Sequence, residues 1–118
     1  MVAATVTLDD LRRAATDLVL SCCDEMAKTT LIPLCVMDRI EGRDMKPEAL
    51  EALIGGIVDA CRSRTICLAG GETELDADWV PGTGRLSVIV IGSREGGGGS
   101  CAMSMDFTAP REVGDGHK

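Results

Sequence analysis

Apolar residues recur at helical spacing through the first quarter of the chain. Leu11, Ala15, Leu18, Val19, Cys22 and Met26 fall on one stripe, the period of an amphipathic helix. Thr7 precedes the stripe as a cap, Asp9 and Asp10 suit the positive end of the helix dipole, and Lys28-Thr29-Thr30 closes the helix. Arg12 and Arg13 lie off the stripe and face water. Leu31 to Met37 is apolar and too short for a helix, so it reads as a strand. Pro33 stands near its start, where a missing donor is tolerable. Glu41-Gly42-Arg43-Asp44 reads as a turn. Pro47 suits the first position of a second helix, whose stripe is Leu50, Leu53, Ile54, Ile57, Val58 and Cys61. Gly55-Gly56 inside it costs about 1 kcal/mol per glycine relative to alanine; a close helix–sheet contact would explain the pair. Thr65 to Ala69 reads as a buried strand ending in a sharp turn at Gly70-Gly71. Asp76 to Gly84 is a long loop, and Arg85 to Ile91 is a β-branched strand central to the sheet.

Helix, strand, helix, strand, strand predicts an α/β fold: a small mixed sheet of three strands with the helices on one face. Both sheet edges are then open and need cover. Residues 1–92 hold this domain. After Gly92 the composition changes. Gly96-Gly97-Gly98-Gly99-Ser100 reads as a flexible linker, and 93–118 as a flexible Gly-rich tail.

Composition narrows the functions. The chain has 118 residues, enough for one domain with one core. Hydrophobic residues make up 45% but aromatics only 2%, with Trp79 and Phe107 alone, so the core is built from aliphatic side chains, Met and Cys. A net charge of −7 offers no basic surface for nucleic acid or for an anionic membrane. No run reaches membrane-spanning length, and the start lacks the basic and apolar regions of a secretory signal. There are six cysteines but no Cys-x-x-Cys pair, and the sole histidine is His117. That excludes a well-founded zinc site. Cys22, Cys35, Cys61 and Cys67 lie in apolar segments and read as small core residues rather than disulfides. Cys22-Cys23 is a reactive pair only as the lesser alternative. A cytoplasmic location, reducing as cytosol or organelle stroma is, fits this usage.

The candidate chemistry centres on Gly70-Gly71-Glu72-Thr73. Two glycines at a strand end admit a close approach, and a carboxylate and a hydroxyl follow, oxygen ligands of the kind Mg²⁺ prefers. The plain alternative is a strand exit with Glu72 in water. Asp24-Glu25 lies late on its helix, where negative charge is mildly unfavourable; it is either functional or a solvated acidic pair. Asp38 stands at a strand end, near a nucleotide or capping a loop. Trp79 either stacks on a base or pins its loop to the core.

Several segments fall into one register with a known family. The chain reads D-L-V-L-S-C-C-D-E from Asp17, P-L-C-V-M-D-R from Pro33, G-I-V-D-A-C from Gly56 and L-A-G-G-E-T-E-L-D-A-D from Leu68. These resemble D-L-V-x-M-C-x-N-D, P-L-F-F-L-D-Y, G-I-x-x-G-C and L-V-G-G-E-T-A-E-M-P-G of the aminoimidazole ribonucleotide synthetase family (phosphoribosylformylglycinamidine cyclo-ligases), N-terminal domain. The resemblance covers roughly Thr16 to Gly92. It implies an α/β domain whose copies dimerise by joining sheets into a barrel-like structure, hence a homodimer. It also implies an ATP-dependent ring closure in purine biosynthesis. ATP activates the formyl oxygen of formylglycinamidine ribonucleotide as a phosphate-type leaving group, and an internal nitrogen attacks to give aminoimidazole ribonucleotide, ADP and phosphate. By the same resemblance Asp24, Gly70, Gly71 and Thr73 are ATP- or phosphate-binding residues, and Glu25 and Glu72 are Mg²⁺ ligands.

The chain departs from the family pattern. The glycine-rich D-G-V-G-T-K segment and the C-terminal domain have no counterpart here, and Asp24 and Glu25 replace Asn and Asp. The isolated chain is expected to be inactive. Two readings follow: a synthetase half that needs a complementing half, or a non-catalytic dimerising module that kept the fold.

Overall fold

The computed structural model describes residues 6–76 and 78–110. His117 and the start Met1-Val2-Ala3-Ala4-Thr5 lie outside them. Among the described residues two helices and four strands follow in the order α1 (Leu8–Ala27), β1 (Ile32–Gly42), α2 (Pro47–Arg64), β2 (Cys67–Glu74), β3 (Thr83–Arg94) and β4 (Gly97–Thr108). The strands form one mixed sheet in the order β2-β1-β3-β4. β1 and β2 run parallel, while β3 is antiparallel to both β1 and β4. The expected α/β sandwich is therefore present, with helices on one face and one strand more than the sequence pattern supplied. No helix among the described residues is long and apolar enough to cross a membrane.

α1 starts where its capping residue predicts. Thr7 Oγ1 accepts from the Asp10 amide at 3.0 Å, and the Asp10 carboxylate accepts from the Thr7 amide at 2.9 Å, a reciprocal capping box. The whole expected stripe is buried, joined by Cys23. It packs on Val36 and Ile40 of β1 and on Leu86, Val88 and Val90 of β3. In α2 Leu53, Ile57 and Cys61 of the expected stripe are buried, together with Ala49, Ala52, Gly56 and Ala60. Ile54, expected in the stripe, is exposed. The small side of α2, not its bulkiest side, faces α1. Gly56 is the point of closest approach: a Cβ there would overlap the Arg12 carbonyl oxygen and stand 2.8 Å from Ala15 Cβ. The contact that explains this glycine is helix on helix, not helix on sheet. Arg12 also bridges the pair, its Nε donating to Asp59 at 2.7 Å.

Three strands differ from expectation. β1 continues past Met37 to Gly42 because Asp38 and Ile40 turn towards the helices while Arg39 and Glu41 take the other face. Thr65 is not in β2; it closes α2 in the left-handed conformation, φ 57°. β2 runs through Gly70-Gly71 without a turn, absorbing Ala69 as a bulge between the pairs Val36–Leu68 and Met37–Gly70. The segment read as a flexible tail is largely β4. Glu95-Gly96 turns the chain, with Gly96 at φ 85°, and Gly97 to Thr108 then pairs with Arg94 to Thr83 residue for residue. Cys101, Met103, Met105 and Phe107 point alternately to the core, which holds the strand in place despite its glycines. Residues 111–118 lie outside the described part.

The thiols follow the expected packing at Cys22 and Cys61, whereas Cys35 and Cys67 are not core residues. All six are free, with Cys22, Cys23 and Cys61 buried, Cys35 and Cys101 half-buried and Cys67 exposed. Burial, then the neighbouring Cys101, pushes the Cys22 thiol up to about 12; burial also raises Cys23 and Cys61. A thiol held protonated is a poor nucleophile. In the folded protein iodoacetamide is expected to label Cys67 first and to reach Cys22, Cys23 and Cys61 only on unfolding, as read by peptide mass spectrometry. For packing, Gly56→Ala is expected to destabilise by about 1–3 kcal/mol through overpacking. Gly55→Ala, which meets only the movable Arg12 guanidinium, should be neutral or stabilising by up to about 1 kcal/mol. Urea unfolding of the two variants checks the contrast.

Candidate functional site

Strand alternation sorts the candidate residues by face. Asp38, Gly71 and Thr73 share the helix side of the β1–β2 pair with Val36 and Ile40. Gly70, Glu72 and Glu74 share the open side with Met37, Arg39 and Glu41. β2 is an edge strand, so both sets reach solvent there.

On the helix side, Gly71 is required by Asp38. A Cβ on Gly71 would overlap Asp38 Oδ1 and stand 2.7 Å from its carbonyl oxygen. The glycine lets the Asp38 side chain fold across the neighbouring strand. Burial there raises the Asp38 carboxyl above its ordinary value of 3.8, partly offset by its own amide. Asp38 lies in mid-strand rather than at a strand end, and it caps no loop.

On the open side, Arg39 gathers three carboxylates. Its Nε pairs with Glu41 at 3.1 Å, one terminal nitrogen with Glu72, and the other with Glu74 at 3.0 Å. The bond to Glu41, then the bond to Glu72, raises the guanidinium further, and Arg39 in turn lowers the Glu41 carboxyl. Beside the cluster lies a shallow groove of about 400 Å³, floored by Met37, Ser87 and Ile89 and bounded by Asp38, Arg39, Gly71 and Glu72. Trp79 is pinned rather than free. Its Nε1 donates to Glu41 at 3.3 Å and its ring lies under Arg85 at 5.4 Å.

The other two acidic candidates are elsewhere. Asp24 pairs with Arg64, the last residue of α2, at 2.9 Å, and Glu25 pairs with Lys28 at 3.0 Å. Both lie in the helix layer at the sheet end where β1 begins, for Met26 abuts Gly92, the partner of Pro33. Glu72 is opposite Arg39. From Pro33 to Arg39 the strand advances about 20 Å at a rise of ~3.3 Å per residue. The structure thus brings Gly70, Gly71, Glu72 and Thr73 together with Asp38, and leaves Asp24 and Glu25 apart from them. Glu25 and Glu72 of one copy, about 20 Å apart along the strand direction at ~3.3 Å per residue and on opposite faces, do not fit a shared Mg²⁺. Among the described residues no group of three or more His, Cys, Asp or Glu is arranged to hold a metal.

Arg39, Glu41 and Glu74 are site residues that the sequence reading missed. The available signal was Arg39-Ile40-Glu41 and Glu72-Thr73-Glu74, two strand segments whose alternate residues share a face.

One pH effect follows from Asp38. A carboxyl whose folded pKa is raised weakens the fold once ionised. The penalty is absent below the ordinary value of 3.8, and it develops as pH rises through the elevated one. Asp38→Asn is therefore expected to be more stable than wild type at neutral pH, with the advantage vanishing towards pH 3. Thermal melts of both proteins across that range check it.

Comparison with known proteins agrees with this architecture. Residues 1–93 match the family described as AIR synthase related protein, N-terminal domain. The chain is 33% identical over 82 residues to the phosphoribosylformylglycinamidine cyclo-ligase of Synechococcus sp. (strain JA-3-3Ab), covering 69% of this chain and 23% of that protein. It is 30% identical over 80 residues to the enzyme of the same name from Staphylococcus carnosus (strain TM300), covering 67% and 23%. The chain spans about a quarter of the length of the curated relatives it matches. β4 lies beyond the matched residues, and the helices and, but for Arg94, the β2-β1-β3 part of the sheet lie within them. The chain belongs to the AIR synthase related N-terminal domain family.

Proposed function

We propose that this chain is a nucleotide-binding half-site of an ATP-dependent ring closure, the conversion of formylglycinamidine ribonucleotide to aminoimidazole ribonucleotide in purine biosynthesis. The observation that carries the reading is the Gly71–Asp38 contact, in a segment that matches the family. At this strand edge Gly70 leaves open space where a Cβ would stand, and the half-buried Asp38 carboxylate lies against Gly71. Gly70, Gly71 and Thr73 line the approach to the ATP phosphates, and Asp38 replaces Asp24 as the carboxylate next to them. Phosphoryl chemistry of this kind rests on positioning and charge neutralisation. ATP brings its own Mg²⁺ as part of the substrate, and no ligand from Glu25 is invoked.

The half-site needs a second surface. Met37 and Ile89 are 44% and 43% exposed at the middle of the open sheet face, and Ile91 lies beside them. An apolar strip on a sheet with no covering layer favours association. We propose that two copies meet across this face as a homodimer, and that a complementing synthetase half supplies the remaining catalytic groups. The six free thiols fit a reducing, cytoplasmic setting. The same apolar strip also supports the second reading, a dimerising module without nucleotide.

Calorimetric titration with Mg·ATP separates the two. The nucleotide reading predicts saturable binding to wild type, weakened at least about tenfold (~1.4 kcal/mol) in Gly71→Ala, and no turnover by the chain alone. A dimer by analytical ultracentrifugation that gives no heat with Mg·ATP would leave the module.

A further inference from the structure

Glu72 was expected to bind a divalent ion, and the structure gives it a different partner. All three guanidinium nitrogens of Arg39 are engaged, each by a separate carboxylate: Glu41 from its own strand, Glu72 and Glu74 from β2. The three acids alternate along two adjacent strands, so their side chains leave the same face around one centre. Without Arg39 that centre would hold three like charges in contact range, a destabilising arrangement across a strand pair. With Arg39 in place the three acids are not grouped to hold a metal; released from it and drawn together, their oxygens would be hard donors of the kind divalent cations take.

We infer that Arg39 is a built-in counter-cation that makes the Glu72 cluster independent of divalent metal. The guanidinium fits this role for a physical reason. It is planar, permanently charged and presents donors in a fixed fork, so one side chain can satisfy several carboxylates at once. A metal at Glu72 would have to displace this partner, and only two net negative charges remain to draw it in. The cluster locks β2 to β1 at the edge of the sheet, beside the glycines of the candidate nucleotide site. The inference goes beyond the nucleotide reading and does not depend on it, since its test contains no nucleotide.

The test is a set of thermal melts in low salt, where exposed ion pairs are least screened, with Mg²⁺ or Mn²⁺ alone as probe. Wild type is expected to melt at the same temperature with and without millimolar cation. Arg39→Gln is expected to melt a few degrees lower and to recover at least half of that loss when Mn²⁺ is added. Arg39→Gln combined with Glu72→Gln should show no recovery. Because Arg39 is exposed, the single variant keeps its core; Arg39→Lys, a monodentate cation, should fall between it and wild type. Two results overturn the inference. One is saturable Mg²⁺ binding by wild type that disappears in Glu72→Gln. The other is an Arg39→Gln protein that melts like wild type and ignores Mn²⁺.

Discussion

Burial of α1 between α2 and the sheet is the constraint on which the rest of the molecule depends. Its seven buried residues contribute to both contacts, with the sheet below and with α2 alongside. Because Gly56 lets α2 approach the α1 backbone at Arg12 and Ala15, the two helices form one tight layer. A layer that small covers one face only. The opposite face of the sheet is left to water or to another protein, and the β2 edge is left half covered. Both consequences place chemistry: the charged cluster and the apolar strip on the open face, and the Asp38–Gly71 contact at the uncovered edge.

The two faces therefore do different work. The helix side is mostly Leu, Ile, Val, Met and Cys, with Phe107 and, towards the β2 edge, Asp38, Gly71 and Thr73, and its alternation fixes register. The open side mixes Met37, Ile89 and Ile91 with Arg39, Glu41, Glu72, Glu74, Arg85 and Asp106. Exposed ion pairs of this kind contribute about 0–1 kcal/mol each, so they specify strand neighbours and surface charge more than they stabilise. Arg39 is the exception in geometry, since one guanidinium serves three acids.

Much of this was legible in the residues. The α1 stripe, its Thr7 cap and the start of α2 at Pro47 were readable because helical periodicity and capping are local signals. The family registers of Pro33–Arg39 and Leu68–Thr73 pointed to Gly71 and to Asp38. Other features were hidden by physical causes. β4 was obscured by four consecutive glycines, although Cys101-Ala102-Met103-Ser104-Met105-Asp106-Phe107-Thr108 alternates at strand period. The turn expected at Gly70-Gly71 is absent because the chain takes up its extra residue as a bulge at Ala69 and stays in the strand. Asp24 and Glu25 were grouped with Glu72 by motif order, which carries no information about how far a strand extends. The role of Arg39 could not be seen from its own strand alone, because two of its partners lie more than thirty residues away.

A nucleotide bound at the strand edge around Gly71 and Asp38 is the reading on which the proposed function stands. Hydrogen–deuterium exchange of the intact chain, with and without Mg·ATP, tests it at the level of individual segments. Nucleotide is expected to slow exchange in Met37–Arg39 and in Cys67–Glu74 and to leave α1 unchanged. No change in those two strand segments at saturating nucleotide, or protection confined to the Trp79 loop or the helices, would contradict it.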